Sequence, residues 1–66
     1  MEMPTKLDIL GVDTKIQFAE LTDRYGQYDA GNSKIEILPG MDGTMLRLIL
    51  IHETIHAIEH LSEMIS

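Results

Sequence analysis

His52, Glu53 and His56 stand in the run His-Glu-Thr-Ile-His, two histidines four positions apart with a carboxylate beside the first. On a helix, residues i and i+4 lie one turn apart on the same face, so both imidazoles can be aimed at one metal ion. Glu53, about 100° round the helix from His52, is offset from that ligand stripe. The offset lets its carboxylate take a proton from an attacking water as general base rather than bind the metal. Zinc in such a place lowers the pKa of water towards about 7 and polarises a carbonyl. The candidate metal ligands are therefore His52 and His56, and the candidate catalytic base is Glu53.

A catalytic zinc ordinarily takes three protein ligands and keeps a position open. His60 extends the i, i+4 series, but from His52 it lies about 12 Å along the axis, too far to share an ion. Glu59 and Glu63 continue the stripe a turn or more beyond the pair. Within one helix the ligand set does not close, so the third ligand is unidentified and hydrolysis is expected to be minimal or lost. Asp29 in the sheet, or a second chain, would be the remaining sources. Asp29 reads first as a turn residue and His60 as a surface or interface histidine. Tyr25 and Tyr28 read first as core packing and second as phenols that could hydrogen-bond a transition state.

The elements that must position these groups divide the chain into a single domain, 1–66, with a sheet over 6–38 and a helix over about 43–64. Lys6 to Leu10 and Lys15 to Leu21 are apolar-alternating runs around a turn at Gly11-Val12-Asp13, which predicts a first hairpin. Tyr25 to Asp29 and Lys34 to Leu38 flank the turn formers Asp29-Ala30-Gly31-Asn32-Ser33, which predicts a second. Pro39-Gly40 ends the strand region, and Asp42 or Thr44 can cap the helix. The expected fold class is α+β: a small antiparallel sheet of two β-hairpins followed by one long C-terminal helix carrying the histidines.

That helix has more apolar surface than four strands can cover. Leu46, Leu50, Ala57, Leu61 and Met64 fall within about 60° of one another, and Leu48, Ile51, Ile55 and Ile58 form further apolar surface beside them. A second copy of the chain is the expected cover, making a homodimer. Sixty-six residues bury roughly 60 % of their unfolded surface, so a metal or self-association would help stabilise the fold. With no cysteine, disulfides and thiolate metal sites are excluded.

Eleven acidic residues against five basic ones give a net charge of −6, which disfavours nucleic acid as a partner. The N-terminal residues lack the basic and apolar regions of a signal peptide. The run Leu48-Ile49-Leu50-Ile51 is too short to span a bilayer. A cytoplasmic protein is expected.

Three stretches together resemble a known layout: Tyr25-Gly26-Gln27-Tyr28-Asp29, Lys34-Ile35-Glu36-Ile37, and Leu50 to Ile58 with the HExxH motif inside it. The chain is similar to short HExxH proteins of phages, prophages and Gram-positive bacteria, distant relatives of the ImmA/IrrE-type zinc metallopeptidases, or zincins. Only HExxH is a specific motif among these. The resemblance implies zinc on His52 and His56, Glu53 as general base, and an edge strand over the active-site helix that pairs with an extended peptide. Lys34 to Leu38 would be that strand. It also implies a further helix with an acidic third ligand, which these 66 residues do not include. The alternative expectation is a non-catalytic, phage-encoded interaction protein. It would bind and inhibit a host defence protein in the host cytoplasm, as a homodimer.

Overall fold

A computed structural model of the chain describes residues 5–64. Four strands, β1 (Lys6–Ile9), β2 (Val12–Phe18), β3 (Gly26–Asp29) and β4 (Lys34–Ile37), precede one helix, α1 (Gly43–Met64). The α+β class, both hairpins and the single long helix agree with the sequence expectation.

Each hairpin is antiparallel, with Ile9 opposite Val12 in the first and Asp29 opposite Lys34 in the second. The first turns tightly through Leu10 and Gly11, both at positive φ (51° and 84°). Two such residues form the turn whose twist matches that of the flanking strands. The Gly11 N–H donates to Asp8 Oδ1 at 2.8 Å. The turn thus sits one residue earlier than expected, and Val12 already belongs to β2.

The hairpins join differently from a simple meander. β4 pairs in parallel with β2, Ile16 opposite Ile35 and Phe18 opposite Ile37, so the strand order is β1-β2-β4-β3 and the whole sheet is mixed. Burial accounts for this order. Ile35 and Ile37 are fully buried, whereas β3 is a short polar strand that starts on a glycine. The most apolar strand takes the centre and the polar ones take the edges. One expectation is corrected here: Lys34 to Leu38 is an interior strand, and the edge beside the helix is β3.

Helix α1 starts where Asp42 caps it, its Oδ1 accepting from the Met45 N–H at 2.9 Å. It lies across β3, β4 and β1. Ile9, Ile16, Ile35, Ile37 and Ala57 form the buried core, with Leu7, Tyr28, Met41, Leu46, Ile49, Leu50 and Leu61 packed around it. The expected surplus of apolar surface is present. Leu48, Ile51, Ile55 and Ile58 are 41–57 % exposed on the helix side facing away from the core.

No helix among the described residues is long and apolar enough to cross a membrane.

Candidate metal and peptide site

The site forms where α1 runs beside the open edge of β3. The closeness of the two elements depends on one glycine. A Cβ on Gly26 would stand 2.5 Å from Ile49 Cγ2 and 3.3 Å from Glu53 Cγ. Any side chain there would push helix and strand apart, so the missing Cβ is what lets Glu53 press against the strand. Glu53 is 7 % exposed. Thr54, the next residue, turns its hydroxyl back onto the Leu50 carbonyl at 2.7 Å and leaves the strand-facing side to Glu53.

His52 and His56 flank Glu53 on the outer side of the helix, both exposed. Their Nε2 atoms lie 3.0 Å apart, with the rings nearly perpendicular at 87°. Two nitrogens held about 2.0–2.1 Å from one tetrahedral ion would be roughly 3.3 Å apart, so the pair is close to the spacing that a zinc ion needs. Without an ion, the same distance suits an imidazole N–H donating to its neighbour, which requires one ring to carry the proton and the other to accept. Behind His56, Glu59 Oε1 lies 3.8 Å from Nδ1. A carboxylate on that side favours the ring orientation that turns Nε2 towards His52.

These side chains open onto a cavity of ≈ 430 Å³ lined by Asp23, Arg24, Gly26, Gln27, Tyr28, His52, Glu53 and His56. It brings the helix residues predicted from the motif together with one predicted aromatic, Tyr28. Tyr28 packs as expected and also reaches the site. Its ring packs on the core cluster and tilts against His60 at 6.0 Å, and it also borders the cavity. Tyr25 does not pack in the core; it is 58 % exposed.

Asp29 is a turn residue. Its carboxylate accepts from Asn32 Nδ2 at 2.9 Å and from the Asn32 N–H at 3.2 Å, and it takes no part in lining the cavity. The Asn32 side-chain hydrogen bond, chiefly, holds its pKa below the ordinary 3.8. Among the described residues, no three His, Asp or Glu side chains converge closely enough to hold a metal. The described residues therefore offer a metal a two-histidine pair beside a carboxylate, with no third ligand among them.

Asp23, Arg24, Gly26 and Gln27 are site residues that sequence reasoning passed over. Gly26 carried a signal, because a glycine inside a strand often marks a close backbone approach. Asp23 holds a positive φ of 69°, typical of a tight loop residue, and nothing in the sequence ties that loop to the helix. Gln27 donates from Nε2 to Glu36 Oε1 at 2.7 Å and accepts from Arg24 at 3.4 Å, which links the loop to the sheet.

In comparisons with known proteins, no family model, curated protein or solved structure matches the chain.

Proposed function

We propose that the protein is a small zinc-dependent metallopeptidase-like protein of the zincin type, cytoplasmic and related to the ImmA/IrrE-like phage and bacterial proteins. The observation that carries this reading is the paired Nε2 atoms of His52 and His56 beside a buried Glu53, in a cleft bordered by a strand that is the sheet's edge among the described residues. A histidine pair by itself is common surface chemistry. A carboxylate buried next to it, at an open edge, is what a hydrolytic site for peptides requires.

His52 and His56 would hold zinc, which when bound supplies Lewis-acid polarisation of a carbonyl and acidifies water. The remaining work falls to the chain itself. The outer edge of β3 has backbone groups free to pair with an extended peptide, which would lay a peptide bond along the cavity. The Glu53 carboxylate takes a proton from the attacking water and returns one to the leaving amine nitrogen. Tyr28, in the cavity wall, has its hydroxyl available to donate to the oxygen on which charge develops.

Metal content after gentle purification tests the reading directly. Stoichiometric zinc in the parent protein, lost in His52→Ala and retained in Glu53→Gln, is the expected result. Equal metal content in all three proteins would overturn it.

A second reading is favoured by the exposed Leu48, Ile51, Ile55 and Ile58. These four follow a 3-4-3 spacing, which gives a continuous seam on one side of a helix. On that reading the protein binds partners through the seam, pairing with a second copy and blocking a host protein without catalysis. Sedimentation that gives a monomer at high concentration would exclude the homodimer. Full biological activity in Glu53→Gln would favour the non-catalytic role.

A further inference from the structure

A second hollow of ≈ 300 Å³ lies beside the first and is lined by Leu21, Asp23, Arg24, Tyr25 and Leu38. Asp23 and Arg24 line both, so a shared wall stands between the two cavities at the start of β3. The Leu38 N–H donates to the Tyr25 carbonyl at 2.8 Å, which extends the β3–β4 ladder by one pair and fixes Tyr25 as a strand residue. Successive side chains on a strand point to opposite faces. Gly26 and Tyr28 face α1, whereas Gln27, bonded to Glu36, faces away from it. Tyr25 shares the side of Gln27.

A peptide added to the edge of β3 follows the same alternation. If one of its residues faces His52, Glu53 and His56, its immediate neighbour faces the side where Leu21, Tyr25 and Leu38 stand. Leu21 and Leu38 are half-buried and Tyr25 is largely exposed, so together they offer apolar surface to the hollow. Arg24 and Asp23, of opposite charge, close one side of the hollow and give it no net preference for a charged group.

We propose that this second hollow is the side-chain pocket that selects the peptide: it takes an aliphatic or aromatic side chain on the residue next to the one at the histidine pair. The inference rests on the peptidase reading above and names its substrate class, an extended peptide with an apolar residue at that one position.

The test uses a hexapeptide library with one position varied at a time. Cleavage by the zinc-loaded protein is read by mass spectrometry, and retention is read on immobilised Glu53→Gln protein. The expected result is a preference for Leu, Met or Phe over Gly at a single position adjoining the site. In Leu38→Glu, and in the milder Leu21→Ala should the first variant fold poorly, the ratio of kcat/KM for the Leu peptide to that for the Gly peptide falls about tenfold. If peptides are retained but not cleaved, the same ratio is taken from retention. Peptides handled with no preference at that position, or a ratio that the two variants leave unchanged, would overturn the pocket while leaving the peptidase reading standing. No cleavage and no retention of any peptide would overturn both.

Discussion

The two hairpins share a length scale and a pairing mode, yet they do different work. In the first, β1 and β2 close through a two-residue turn, and the outer strand carries the exposed charges Lys6 and Asp8, with Lys6 3.8 Å from Asp13. Charges of this kind on an edge discourage further strand pairing. In the second, the outer strand β3 is marked instead by Gly26, with the cavity and Glu53 beside it. One edge carries charges that discourage pairing, and the other borders the candidate site. Edge treatment, more than strand content, separates the scaffold from the site.

Four substitutions or conditions sharpen or break that contrast. The largest effect is expected from Glu53→Gln, which keeps shape and removes the base. Peptide cleavage should fall by about 10²–10⁴-fold with the melting temperature unchanged or higher, because a nearly buried carboxylate has been replaced by a neutral group. A variant that cleaves normally would remove Glu53 from the mechanism. Next comes Gly26→Ala, where the new methyl meets Ile49. A loss of about 1–3 kcal/mol in chemical denaturation is expected, together with weaker zinc binding, since helix and strand must separate. Stability unchanged in that variant would show that the close approach is not required.

Leu10→Asn addresses the first hairpin alone. Leu10 is 56 % exposed and sits at φ 51°, where asparagine is better tolerated. A gain of about 0.5–1 kcal/mol is expected with zinc affinity unaltered. A change in zinc affinity would mean that the hairpins are not as separate as described. The smallest effect concerns Asp29. Its pKa is lower in the folded chain than the ordinary 3.8, so its contribution to stability is present above that value and fades as pH falls through the folded pKa. Asn32→Ala should reduce the slope of stability against pH in the acid range. A slope identical to that of the parent would show the Asn32 contact to be inconsequential.

What the sequence disclosed was local. The His52–His56 spacing, the Asp42 cap and the two turn clusters each depend on residues near one another in the chain, and each is where the pattern placed it apart from the first turn, which comes one residue early. Even the uncovered aliphatic seam of α1 could be read, because helix geometry fixes which residues share a side. Pairing between distant strands was not legible. Lys34 to Ile37 alternates like any hairpin strand, and nothing in it announces a parallel partnership with β2. Misplacing that strand also misplaced the edge, and the loop residues Asp23 and Arg24 beside it were passed over. Tyr25 was misjudged for a related reason: an aromatic residue in a small protein invites a core assignment, whereas this one lies at an edge where little covers it.

Inserting β4 between β2 and β3 also leaves β3 attached to the rest of the sheet on one side only. Its backbone is tied down by β4 and its inner face by α1, while β1, β2 and β4 remain joined without it. The strand beside the histidines can therefore detach as a unit while the other three stay paired, so amide protons of Gly26 to Asp29 should exchange with solvent before those of Ile35 and Ile37. The strand that borders the candidate site is then also one that can loosen without unpairing the rest of the sheet.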